Sequence, residues 1–302
     1  MKTTKTAGHT RADAPALIRS RAHLFVDVQH GLCNRLRAMA SAAAIAEATG
    51  RELVVIWRPD AHCEARISDL LDYPGPVLED DSADVFRDRA AQSYNYMEIE
   101  PGSCHGAPIL GAGDAGGDVF IRSAYSLESP FATMVREQAF LRALIPSQAV
   151  LDHIARVPHP SDIAVHIRVG TGPDFEHLPY ESARNWPPER HRELVEWRRK
   201  SDVSRFVSRL ETLFAKGAQT AFVAADLAAT YTALQDHFGS RIRFLPRDSF
   251  DRSPRQLQYA LADLMLLTAA PVMLASHWSS FSDVAQRLAR QFRPVEKSGI
   301  DF

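Results

Sequence analysis

Ile163, Ala164, Val165 and Ile167 form a short apolar run broken only by His166. Arg168 closes the run, and Gly170, Thr171, Gly172 and Pro173 then interrupt any regular pattern. Such a run bounded by breakers is a buried parallel strand that ends in a loop. This strand constrains the fold most, because a parallel strand needs a crossover partner. In open α/β sheets, ligands bind beyond the carboxyl ends of the strands. A guanidinium fixed there, beside glycines that allow close backbone approach, suits a phosphate or pyrophosphate. Taken alone, a strand-end arginine paired with a surface carboxylate explains Arg168 as well.

The rest of the chain alternates strand and helix. Leu24–Val28 reads as a strand. The spacing of Leu36, Met39, Ala40, Ala43, Ala44 and Ala46 predicts a helix over Arg35–Thr49, with Asn34 as N-cap and Gly50 as its stop. Glu52–Trp57 is the next strand. In this Rossmann-like half the Gly31 loop aims helix amides outward, together with Arg35 and Arg37. Helix N-termini bind anions, although a turn glycine with solvated arginines accounts for the same residues. Neither G-x-G-x-x-G nor a P-loop is present. Ile67–Leu71 is expected to be a short helix, Tyr94–Ile99 and Asp118–Arg122 strands, and Phe131–Leu144 and Ser147–Ile154 helices. Gly111–Gly117 reads as a surface loop, since no long helix follows it at once. Val157–Ser161, with two prolines, is the natural linker.

Beyond the Arg168 strand, Thr171–Pro188 is irregular, and loops of this length tend to be functional or disordered. Ser201–Lys216 reads as a helix and Ala221–Ala225 as a strand ending at Asp226. Ala228–Phe238 follows as a helix, Ile242–Leu245 as a strand, and Ser253–Ala269 as a helix capped by Ser253. Pro271–Ala275 is a strand, Ser276–Ser282 a loop, and Asp283–Phe292 a helix. This alternation predicts an α/β fold of parallel sheets with crossover helices.

With 302 residues the chain is comfortable for two such domains. Residues 1–22 are polar and basic, without the apolar core of a secretory signal, and read as a flexible tail. Residues 23–157 and 158–302 are the expected N- and C-terminal domains. A net charge of −2 argues against nucleic acid as the main partner. Cys33, Cys63 and Cys104 are widely spaced, which fits a reducing compartment and neither a metal cluster nor a disulfide framework. No window has the roughly 18 apolar residues of a membrane span. A cytoplasmic protein is expected, with peripheral membrane contact left open.

Four strand ends therefore bring polar groups to one crevice: Gly31–Arg37, His166–Arg168, Asp226 and Ser276–Ser282. Ser279, Ser280 and Ser282 join hydroxyls to a helix N-terminus, an arrangement that cradles anions, while each serine singly also fits a helix cap. Asp226 and Asp263 could accept from a base or ribose. Each singly also fits a helix N-terminal or surface carboxylate.

The stretches HGLCNRLRAMASAAAIAEATGRELVVIW, AVHIRVGTG, AFVAADLAATYTALQDHFGSRIRFLP and ASHWSSFSDVAQRLA, in that order, resemble the GDP-fucose-dependent fucosyltransferase superfamily. That superfamily includes the α-1,6, α-1,2 and protein O-fucosyltransferases and the bacterial nodulation-type enzymes. The resemblance implies a GT-B architecture, two Rossmann-like domains whose parallel sheets face a cleft. It implies a GDP-sugar donor, transfer to a glycan, peptide or small-molecule hydroxyl, inversion at the anomeric carbon, and neither metal nor cofactor. Arg168 would clamp the β-phosphate and neutralise the departing diphosphate. Ser279, Ser280 and Phe281 would complete that pocket. His166, Asp226 and Asp263 would face the nucleoside, and Asn34 on the Gly31 loop would reach across. Glu176, eight residues after Arg168, stands where the core-fucosylating branch has a glutamate base, with Asp174 as competitor. A solvated loop explains both carboxylates too.

Departures bear on the donor. Val169 replaces the second arginine of the α-1,6 and α-1,2 branches, and Gly172 stands where the protein O-fucosylating branch has Asp. A UDP- or dTDP-sugar transferase, or a catalytically silent nucleotide- or carbohydrate-binding protein on the same scaffold, are the alternatives. A phosphotransferase is disfavoured by the missing P-loop and kinase signatures. Thr171–Lys200, with Trp186 and Trp197, is the expected acceptor region by position.

Overall fold

A computed structural model describes residues 21–111, 113–114, 116–170 and 183–302 of the chain. Short runs of Val, Ile, Leu, Phe and Ala build two sheets, and their central strands are buried on both faces, as parallel strands require. The first sheet comprises β1 (His23–Val28), β2 (Glu52–Ile56), β3 (Val77–Leu78), β4 (Gln92–Asn95) and β5 (Val119–Ser123). Its order is β3-β2-β1-β5-β4, with every pair parallel. The second comprises β6 (Ile163–Ile167), β7 (Ala221–Ala225), β8 (Ile242–Arg243), β9 (Val272–Ala275) and β10 (Val295–Lys297), in the order β10-β9-β6-β7-β8 and again parallel. Val165 on β6 sits opposite Val223 on β7 and Leu274 on β9. β6 is thus the central strand, and strand order reverses beside it. Ligands settle beyond the carboxyl ends at such a reversal.

Ten α-helices are assigned among the described residues: α1 (Leu32–Thr49), α2 (Ile67–Leu70), α3 (Asp84–Arg89), α4 (Met134–Ala143), α5 (Gln148–Ala155), α6 (Pro188–Lys200), α7 (Val203–Ala215), α8 (Ala228–Phe238), α9 (Pro254–Leu267) and α10 (Ser280–Leu288). α5 packs on α9, and α1 on α10, so helices from both halves meet. One buried cluster takes Leu24, Leu36, Leu141 and Val150 from the first half together with Leu261, Met273, Val284 and Leu288 from the second. A separate cluster under α7 joins Val165 and Val223 to Phe206, Leu210 and Phe214. None of these helices is long and apolar enough to cross a membrane.

The entry into α1 differs from the sequence reading. The helix begins at Leu32, Gly31 is its N-cap, and Asn34 lies in the first turn. The Gly31 carbonyl takes the amides of Asn34 (2.9 Å) and Arg35 (3.1 Å), which starts the helix without a side-chain cap. Arg35 does not point outward either. It is fully buried, donates to the carbonyls of His30 and Arg58 (2.7 Å each) and to Asp60 (2.8 Å), and lies over the Trp57 ring. It therefore ties the β1–α1 turn to the loop after β2. In the glycine-rich loop, Asp114 holds Arg51 through two bonds of 2.7 and 2.8 Å. That loop precedes β5, at the amino edge of the sheet, away from the carboxyl ends.

Candidate active site

At the carboxyl edge of the second sheet, β6 and β9 end side by side. The His166 carbonyl accepts from the Ser276 amide (2.9 Å) and hydroxyl (3.1 Å), and Ser276 Oγ accepts from the Arg168 amide (2.8 Å). Ser282 Oγ donates to the Ser276 carbonyl (3.1 Å) and meets His166 Nδ1 at 2.8 Å. Phe281 stacks on the imidazole, with centroids 4.7 Å apart and planes 18° from parallel. Burial lowers the His166 pKa to about 3, so the ring is neutral at pH 7.

Arg168 and Asp226 form the second part of the edge. Arg168 Nη1 donates to Asp226 Oδ2 at 2.7 Å, and the Asp226 carboxylate also takes the amides of Gly170 (2.7 Å) and Val169 (3.2 Å). Burial pushes the Asp226 carboxyl up, but the Arg168 guanidinium and these amides outweigh it and hold it below the usual range. A Cβ on Gly170 would stand 2.8 Å from Asp226 Oδ2, so this carboxylate grip requires glycine. Asp226 thus fixes Arg168 and the loop after β6.

Asp263 lies elsewhere, on α9. It pairs with Arg247 at 2.6 Å, and both side chains are only 3% exposed, which excludes a surface carboxylate. Rings of Tyr231 and Tyr259 flank the guanidinium. Asp263 Oδ1 has no hydrogen-bond partner, and burial raises its pKa to about 6. Replacing Arg247 by Ala would leave a buried carboxylate uncompensated. A loss of about 3–5 kcal/mol of stability is expected from urea unfolding at pH 7.

Ser279 caps α10 through its backbone alone, and Ser280 opens the helix. Trp278 just before them has a φ of 50° and is 43% exposed. This left-handed conformation is costly for a tryptophan, and such strain gathers at ligand sites. Burial lowers the Arg37 pKa, and the Asp283 carboxylate on α10 opposes that shift. α1 and α10 pack together, so Arg37 and Asp283 share one electrostatic neighbourhood. His166, Arg168, Asp226 and Ser276–Ser282 form one connected network. Asp174 and Glu176 lie outside the described residues.

The carboxyl edge of the first sheet has its own ionic cluster. Asp27 sits between Arg58 (3.2 Å) and Arg122 (2.9 Å). His30, with a φ of 63°, meets the His62 ring edge-on, and burial lowers its pKa to about 4. Among the described residues, no group of three or more His, Cys, Asp or Glu side chains is arranged to hold a metal ion.

The sequence reading missed α6. Its Trp197 ring lies 4.0 Å from that of His277, and its Arg190 pairs with Glu98 of the first half while lying over Trp278. Only Leu194 and Arg198 of α6 are buried, so no apolar stripe marks the helix. The local signals were Pro188 at its first position, Glu189 in its first turn and Arg198, Arg199 and Lys200 in its last.

No protein-family model matches the chain, and no curated protein sequence matches it. Solved structures do. A NodZ α-1,6-fucosyltransferase soaked with GDP-fucose is 16% identical, with a TM-score of 0.58, covering 89% of this chain and 93% of its own. The fucosyltransferase NodZ from Bradyrhizobium gives 16% identity and a TM-score of 0.57, covering 88% and 93%. POFUT1 in complex with GDP is 14% identical, with a TM-score of 0.55, covering 93% and 98%. The chain therefore shares the fold of NodZ and POFUT1.

Proposed function

We propose that this protein is an inverting glycosyltransferase of GT-B architecture, moving fucose or a related sugar from a GDP-sugar to an acceptor hydroxyl. The observation that carries the reading is the network of Arg168, Ser276 and the α10 N-terminus at the strand-order reversal of the second sheet. Residues 23–157 and 158–302 would be the two domains, with the cleft between their carboxyl edges. In transfer, the acceptor oxygen bonds the anomeric carbon from the face opposite the diphosphate. The bond from that carbon to the β-phosphate oxygen breaks, and the electron pair leaves with GDP. Arg168 and the Ser279–Phe281 turn meet the charge that builds on the leaving group. These groups supply positive potential themselves, in keeping with a mechanism that uses no metal. Asn34 and Gly31 approach from the first domain, and Glu176 or Asp174 takes the acceptor proton. Asp226 acts by orienting Arg168, and Asp263 lies on the nucleoside side. The reading places the protein in the cytoplasm.

The test is thermal unfolding with GDP, UDP and dTDP, followed by transfer assays. A ligand that binds the native state at 100 times its dissociation constant adds about 2.7 kcal/mol. GDP is expected to raise the melting temperature most. A larger shift with UDP or dTDP would reassign the donor. No shift with any of the three would sink the reading, and GDP binding without turnover across an acceptor panel would favour a silent binding protein.

A further inference from the structure

A cavity of about 620 Å³ lies at the amino edge of the second sheet, where the C-terminal ends of α4, α9 and α10 meet ahead of β9 and β10. Pro271 lines it, and Ser276 at the carboxyl edge stands five residues further along β9, roughly 16 Å away at the rise of a strand. The cavity is therefore separate from the site described above.

Its wall joins two chemistries. Leu141, Leu144, Met265 and Leu288 make one part apolar, and Phe292, also on the wall, is 99% exposed. A lone exposed ring is ordinary, but beside an apolar hollow it is surface that a ligand can cover. Arg142, Arg290 and Arg293 make the other part, and among the described residues no carboxylate lines the cavity. Arg293 is buried and donates to the carbonyls of Leu267, Ala270 and Ala285, while Arg142 donates to that of Ala289. All these partners are neutral. The three helix ends carry about half a unit of negative charge each, which offsets roughly half of the three guanidinium charges. A positive balance remains. Arg142 Nε, although buried, has no hydrogen-bond partner among the described residues, and Arg290 is exposed.

We propose that this cavity binds a small amphipathic anion, a phosphate or carboxylate head on a single apolar chain, with the head met by Arg142 and Arg290 and the chain lying against Leu144, Met265 and Phe292. Guanidinium forks match such oxyanions, and the volume falls within the roughly 300–1,000 Å³ of small-ligand sites. A bare anion would forgo the apolar wall, and an uncharged chain would forgo the arginines. The proposal stands apart from the transferase reading.

The experiment measures binding of decyl phosphate, decan-1-ol and inorganic phosphate to the full chain by calorimetry, below the micelle concentration, for wild type, Arg290→Ala and Phe292→Ser. Decyl phosphate is expected to bind at least about 10-fold more tightly than either fragment. Arg290→Ala should weaken it about 10-fold by removing a charged partner. Phe292→Ser should also weaken it about 10-fold, by removing apolar cover. Both side chains are exposed, so both variants keep the fold. Excess GDP should leave the binding unchanged. No binding of decyl phosphate, binding that neither variant weakens, or displacement by GDP overturns the proposal. Capture on phosphatidylcholine vesicles carrying phosphatidate, without binding of monomeric decyl phosphate, overturns it in favour of a membrane-docking face.

Discussion

Arg168→Ala is expected to slow sugar transfer about 10²–10³-fold, the usual consequence of removing one preorganised donor from a centre of developing charge. The fall should appear in kcat more than in KM, because this interaction is strongest when the diphosphate departs. The fold should survive. Asp226 loses one partner but keeps the amides of Val169 and Gly170. The Arg168 amide, which Ser276 holds, is backbone and remains. Steady-state kinetics with melting curves at pH 7 separate the two effects. Near-wild-type kcat in a folded variant would remove Arg168 from the mechanism.

His166 should make the protein labile to acid. Its folded pKa lies near 3, against 6.5 for an ordinary histidine, because burial disfavours the charged ring. A lowered histidine pKa means that the unfolded chain takes up the proton first. Stability is then full above pH 6.5 and falls as the pH drops toward 3, by roughly 3 kcal/mol on reaching pH 4. His30, lowered to about 4, acts in the same direction. Asp263 acts oppositely, since a carboxyl raised to about 6 loses stability as the pH climbs from 3.8 through 6. Urea unfolding of His166→Asn alongside wild type isolates the histidine. The variant's stability should fall less between pH 6.5 and 4, and parallel curves would refute the assignment.

Strands with an unbroken apolar run were legible in the sequence because both of their faces are buried. Ala221–Ala225 and Ala228–Phe238 stand where the pattern puts them, and Ser253 caps α9 as its position suggests. What failed depended on contacts distant in sequence. Arg35 looks like a solvated helix residue until Trp57 and Asp60 close over it. Asn34 looks like a cap, yet the Gly31 carbonyl starts the helix earlier. α6 escaped because its buried face is an arginine and a leucine, so helical spacing of apolar residues never develops. For the site, the pairing of His166 with Ser282, 116 residues away, could not be read locally, and neither could the grip of Asp226 on the loop after β6.

The hydrophobic cluster that runs from Leu24 to Leu288 has a bearing on motion. With α5 lying on α9 and α1 on α10, the two sheets are not joined by the Val157–Ser161 stretch alone. Packed helices tolerate small sliding displacements far better than separation, because interior side chains interlock at near-crystalline density. Sliding along these helix pairs would therefore cost less than parting the halves and wetting the surface they share.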